Sequence, residues 1–273
     1  MTEAANPQID PHDLINVKDV SITLRNDKGT NAKLKKITIK DFTKKGDNYG
    51  CIVTSVNVSY IENGLDKETS YVAKLNPRRS AGFDKSKLMF KKEIGFYTEI
   101  LPLLNEELKG VNEPALRIPK CFHCVTEELL EVIYLEDLRT LGFKMCDRRK
   151  GMNKDQTDLI VIELARFHAA SSLLMDRGEY QGCDMVEKFP VLHECYDSLM
   201  DECDPVNMNT FLVGFINLDV KIAEKLGGYE EVKQFLLERA KDGRSLLLEQ
   251  LKCKDQFKVI CHGDCWNNNF VFR

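Results

Sequence analysis

Near residue 137 the apolar residues of this 273-residue chain change their period, and that change limits the folds open to it. Before that point the pattern is strand-like, with β-branched runs at 34–42, 51–60 and 70–76. Gly46-Asp47-Asn48-Tyr49-Gly50 supplies a turn between the first two, and Glu62-Asn63-Gly64 closes the next hairpin. Two more strands are predicted at 118–125 and 130–135, joined across Thr126-Glu127-Glu128. One helix interrupts them, 84–104, with Met89, Phe96, Tyr97 and Ile100 at 3.6-residue spacing. After Glu136-Asp137-Leu138 the pattern turns helical. Asn153 with Gln156 forms a capping-box signal, and Ile160, Leu164, Phe167, His168 and Ser171 trace one face. Further helices are expected at 206–226, stopped by Gly227-Gly228, and at 230–251. The fold class is therefore α+β in two lobes: a β-rich N-lobe with one long helix, then a mostly helical C-lobe. Its boundaries fall at a flexible 1–14, an N-lobe 15–136 and a C-lobe 137–273.

Composition removes several classes of function. A net charge of −4 offers no general attraction to nucleic acid or anionic lipid. No apolar run approaches the length of a membrane span, and the polar start, Met1 to Pro7, lacks the features of a secretory signal. Ten scattered cysteines then read as reduced thiols of a cytoplasmic protein. The Cys121-Phe122-His123-Cys124 spacing is expected to be coincidental, because it falls in a strand and has no second pair to complete a zinc site. Neither a nucleic-acid nor a membrane partner is expected, and the chain is expected to be a monomer.

The chemistry concentrates in 260–273. Two apolar runs flank a polar loop in which His262, Asp264 and Asn269 are spaced H-x-D-x-x-x-x-N. Protein kinases use this spacing: the aspartate accepts the proton of an attacking hydroxyl, and five residues on an asparagine holds magnesium on the nucleotide phosphates. Of the run Asn267 to Asn269, the spacing selects Asn269. His262 is expected to hold the loop backbone rather than carry protons. The plain alternative is that Asp264 and the asparagines make only turn hydrogen bonds.

Other residues gain meaning from their order. Tyr71, Ala73 and Leu75 share one strand face, so Lys74 points to the other with Val72. Glu93 interrupts the apolar stripe of the following helix and needs a cation, since an unpaired buried carboxylate costs several kcal/mol. Gly46, Asn48 and Gly50 sit in a hairpin that could cover phosphates with backbone amides, although the turn is G-x-x-x-G rather than the full glycine-rich form. At the junction, the backbone of Glu136 and Asp137 could pair with an adenine edge, while their side chains are expected to tie the lobes together.

These pieces resemble the ecdysteroid kinase-like family, a branch of the protein-kinase-like fold related to choline kinases and aminoglycoside phosphotransferases. The resemblance rests on Gly46-Asp47-Asn48-Tyr49, the Lys74 strand and Lys92-Glu93-Ile94-Gly95-Phe96-Tyr97 before Leu101-Pro102. It continues through Leu135-Glu136-Asp137-Leu138, Leu164-Ala165-Arg166-Phe167-His168-Ala169-Ala170-Ser171 and the His262–Asn269 loop. It implies an ATP- and Mg²⁺-dependent phosphotransferase acting on a hydroxyl of a small molecule, a steroid such as an ecdysteroid. Asp264 would be the base, Asn269 a metal ligand and His262 a structural residue of the loop. Lys74, Glu93, Gly46, Asn48, Gly50, Glu136 and Leu138 would serve the nucleotide. The family pattern also carries an Asp-Phe-Gln segment after this loop, whose aspartate binds magnesium. Its place lies past Arg273, so the sequence is expected to be C-terminally truncated and the C-lobe incomplete. A catalytically inactive nucleotide- or ligand-binding protein is the alternative expectation.

Overall fold

The computed structural model describes residues 10–42, 51–76, 85–127, 130–147, 149–183, 185–192, 208–251 and 258–273. The glycine turn with Gly46, Asn48 and Gly50 lies outside them. The chain divides into two compact units, Met1–Asp184 with Val259–Arg273, and Met185–Lys258.

The first unit is built on an antiparallel sheet of five strands, β1 (Lys33–Asp41), β2 (Ile52–Glu62), β3 (Leu65–Leu75), β4 (Cys121–Val125) and β5 (Val132–Glu136), in the order β1-β2-β3-β5-β4. Both faces are covered. On one lies helix α1 (Val17–Lys28), whose Val20 and Leu24 are wholly buried among Val56, Val58, Tyr71, Ala73, Leu75, Val132 and Tyr134. Sequence reasoning missed this helix, although its signal is present. Asn16 caps it by accepting from the Asp19 backbone N–H at 2.9 Å, and Val20, Thr23 and Leu24 recur at helical spacing. The exposed lysines of β1 occupy a sheet edge, where charge discourages pairing with another chain.

The other face carries helix α2 (Lys85–Gly95), which passes through a wide π turn (Phe96–Ile100) into α3 (Leu101–Gly110). Phe90 and Ile94 pack on Ile133 and Leu135. Met89, expected on the buried stripe, is 54% exposed. The wide turn breaks the 3.6-residue phase, so a stripe counted through it joins positions from different faces. Glu93 sits beside Ile94 at the edge of the buried face, 30% exposed.

Past β5, Asp137 caps a 3₁₀ turn (Leu138–Leu141) that leads to β6 (Lys144–Met145). Helix α4 (Lys154–Asp176) follows, begun by the capping box of Asn153 and Gln156. Ile160, Phe167, Ala170, Ser171 and Leu174 form its buried side. The segment 258–273 ends in β7 (Val271–Phe272), which pairs with β6.

The second unit contains the short helix α5 (Met185–Lys188) and a hairpin of α6 (Met208–Leu226) and α7 (Glu230–Leu251). Gly227 and Gly228 make its turn at φ 68° and 76°, values that a side chain would strain.

Candidate active site

Strand alternation sends Lys74 off the α1 side of the sheet. Its strand pairs on both flanks, Lys74 opposite Val53 of β2 and Ile133 of β5. The ammonium donates to both carboxylate oxygens of Glu93 at 2.6 Å. Burial acts to lower the Lys74 pKa, but the charge of Glu93, Cys51, the Glu93 hydrogen bonds and the charge of Asp264 outweigh it, and the net direction is upward. Asp264, 190 positions along the chain, is therefore close enough to act on this ammonium.

The loop carrying Asp264 is held from both ends. Upstream, the buried Ile260 N–H donates to Ser171 Oγ at 3.1 Å, while the Ser171 hydroxyl donates to the carbonyl of His168 at 2.8 Å. That seryl clamp went unread in the sequence, where Ser171 was only one position on an apolar face. Downstream, Val271 and Phe272 pair with Met145 and Lys144, and the Arg273 guanidinium lies over the Phe143 ring at 5.2 Å.

Within the loop, His262 Nδ1 accepts the backbone N–H of Asp264 at 3.2 Å. Gly263 between them has φ 78°, a left-handed value that only glycine adopts without penalty. Asn267–Asn269 form a 3₁₀ turn. The Asn269 amide nitrogen donates at 2.8 Å to both the carbonyl and Oδ2 of Asp264. The spacing of five residues thus has a visible mechanical reason: the turn swings Asn269 back onto Asp264.

Among the described residues no cluster of three or more His, Cys, Asp or Glu is placed to hold an ion. Magnesium on a nucleotide needs less, because it takes one or two protein oxygens and completes its shell with phosphates and water. Asn269 has such an oxygen in Oδ1, since its contact to Asp264 runs through the nitrogen. The donor set fits an ion carried in by a nucleotide rather than a resident one.

At the junction, Glu136 is the last residue of β5, opposite Tyr71. Its N–H donates to the Lys120 carbonyl at 2.8 Å, and its side chain accepts the Lys120 N–H at 3.3 Å. The carbonyl of Leu138 accepts from the Phe143 N–H at 3.1 Å. Between them, Asp137 is buried and was not among the expected site residues. It accepts Nε and Nη2 of Arg139 at 2.8 and 2.7 Å and the hydroxyl of Ser70. Arg139 also reaches Ser55 Oγ at 2.8 Å and lies over the Phe42 ring at 4.1 Å. Burial acts to raise the Asp137 pKa, but Arg139 and Ser70 prevail and hold it below the usual value.

The sequence model of the ecdysteroid kinase-like family matches residues 45–273. The chain belongs to that family. No curated protein and no solved structure matches it. As an ecdysteroid kinase-like protein it has the α+β, kinase-like fold, and its family chemistry is phosphoryl transfer with a small-molecule acceptor. Among the described residues no helix is long and apolar enough to cross a membrane.

Proposed function

We propose that this ecdysteroid kinase-like protein transfers phosphate from ATP to a hydroxyl of a small molecule, with a steroid such as an ecdysteroid as the favoured acceptor class. The observation that carries the reading is the convergence on one ammonium. Lys74 of the sheet pairs with Glu93 of a helix, and the charge of Asp264 from a distant loop acts on the same ammonium, the grouping that phosphoryl transfer uses.

Each residue has a part in the proposal. An ammonium has three N–H groups; two of Lys74 are spent on Glu93, and the third is for phosphate oxygens. Glu93 fixes where that third group points. Asp264 has Oδ2 occupied by Asn269, which leaves Oδ1 to take the proton of the acceptor hydroxyl. His262 and Gly263 hold the backbone turn that aims it. Glu136 to Leu138 offer backbone to the adenine edge, and Gly46, Asn48 and Gly50 would close over the phosphates. Magnesium, held by Asn269 through Oδ1, would supply charge neutralisation on the phosphates. The assignment of 15–136 to nucleotide binding and 137–273 to the catalytic loop and its support belongs to the same reading, as do cytoplasmic location and a monomeric state.

The test is ATP consumption with Mg²⁺ across hydroxylated steroids, with mass detection of a phosphorylated product. Asp264→Asn should lower the rate by about 10²–10⁴, while Trp266, the single tryptophan and a neighbour of the loop aspartate, reports unchanged nucleotide binding by fluorescence. Nucleotide binding with no transfer to any acceptor would leave a binding protein instead. Full turnover by the variant would remove Asp264 from the role.

A further inference from the structure

Cys121 and Cys124 lie three positions apart on β4, a spacing that in a regular strand sends side chains to opposite faces. Here the register shifts between Cys121 and His123. The bulge turns two consecutive residues to the α1 side: Phe122 packs with Tyr71, and His123 stacks on Tyr134 with Nε2 3.4 Å from Asp19. Both cysteines are thereby left on the α2 side, with sulfurs 3.4 Å apart. They pack against the cluster of Phe90, Ile94, Ile133 and Leu135, of which Phe90 and Ile94 lie on α2, the helix that presents Glu93 to Lys74.

We propose that Cys121 and Cys124 form a thiol redox site, which a hydroperoxide converts to an intrastrand disulfide and which helix α2 registers through its packing. The chemistry balances in two steps. The Cys121 thiolate attacks the terminal peroxide oxygen, the O–O bond breaks, and the leaving oxygen takes a proton to depart as an alcohol, or as water from hydrogen peroxide. Cys124 then attacks the sulfur of the Cys121 sulfenic acid, the S–O bond breaks, and water leaves with the Cys124 proton. Two thiols lose two electrons and two protons, and the peroxide is reduced. The order follows from the contact: sharing a hydrogen bond with Cys124 lowers the Cys121 pKa against the effect of burial, and the same contact with burial raises Cys124. Both thiols are only half-buried, so a small oxidant can reach them.

Bond formation brings the sulfurs about 1.4 Å closer than their present contact, and because three residues of strand span roughly 10 Å where a disulfide bridges at most about 7 Å, β4 must contract as well. A close-packed cluster does not follow such a movement, and gaps of ~0.5–1 Å forfeit a quarter to a half of each dispersion contact. The disulfide therefore loosens α2. Weaker nucleotide binding through Glu93 is the consequence that rests on the phosphotransferase reading; the bond and the loosening do not.

Trypsin cuts after Lys120 and Arg139, so one peptide, 121–139, holds both cysteines and no other. Reduced protein treated with hydrogen peroxide, blocked with N-ethylmaleimide and digested should give that peptide unblocked and two hydrogens lighter than its dithiol, with reversal by dithiothreitol. Amide exchange across 85–100 should become several-fold faster in the oxidised protein, and Cys124→Ser should lose both changes. The proposal is overturned if both cysteines stay blocked, if either pairs instead with another cysteine such as Cys51, or if exchange across 85–100 is the same in both forms. ATP affinity measured on the same samples separates the two readings: absence of binding in the reduced form sinks the phosphotransferase, not the disulfide.

Discussion

Lys74 and Asp264 reach one candidate site on opposite kinds of support. Lys74 rides a strand paired on both sides, between Ala73 and Leu75, neither of which is exposed at all. Its placement comes from contacts far away in sequence. Asp264 sits in an exposed loop whose shape comes from its own neighbours His262, Gly263 and Asn269, with longer reach at Ile260, at the β6–β7 pair and where Arg273 lies over Phe143. The difference teaches where a change is felt. On the sheet side the fold absorbs or fails as a whole, whereas on the loop side geometry alone is at stake.

The largest effect that would break this comparison is a matched pair of stability measurements. Leu75→Ala, one residue from Lys74 and fully buried, should cost about 2–5 kcal/mol in urea unfolding. Cys265→Ala, one residue from Asp264 and exposed, should stay within ~0.5 kcal/mol. Equal losses would mean that the loop is as deeply built in as the strand. A smaller effect sharpens the loop half. Gly263→Ala places a Cβ at φ 78°, a penalty of about 1–2 kcal/mol. Nothing lies within 4 Å of that Cβ, so the penalty is in the backbone and not in a clash. Relaxation of the turn would carry Asp264 with it, and transfer should slow by roughly tenfold with ATP affinity unchanged.

How much of this could be read in advance depended on whether a local rule was enough. Alternation with a period of two placed Lys74 opposite Tyr71, Ala73 and Leu75, and the capping box placed the start of α4, because both rules act within a few residues. A carboxylate on a half-buried helix face pointed to a cation, and Glu93 meets one. Met89 failed because a π turn reset the helical phase, an event that no spacing count detects. Helix α1 was readable from Asn16 and the Val20, Thr23, Leu24 spacing, yet its value, covering the far face of the sheet, appears only once the sheet exists. The bulge that brings Cys121 to Cys124 is set by pairing with β5, so the strand's own sequence could not announce it. Ser171 was likewise invisible as an anchor, since its partner Ile260 is remote in sequence.

Asp137 offers the finest test, because it extends the sheet's style of support to the junction from which β6 reaches the loop. It binds Ser70 of β3 directly and, through Arg139, Ser55 of β2. Its pKa is lowered from 3.8 in the folded protein, so the folded state resists protonation more than the unfolded chain does. The stability it contributes is therefore fully present above that value, and is lost as pH falls through the folded pKa. Asp137→Asn removes the carboxylate while keeping its shape. The stability difference between wild type and this variant, from urea unfolding, should be constant from about pH 7 to pH 5 and shrink once pH drops below the unfolded carboxyl value. Other carboxylates titrate in the same range but cancel in the difference. A gap that stays open in strong acid would show that Asp137 acts through shape and hydrogen bonding alone, and the junction would then belong with the loop rather than with the sheet.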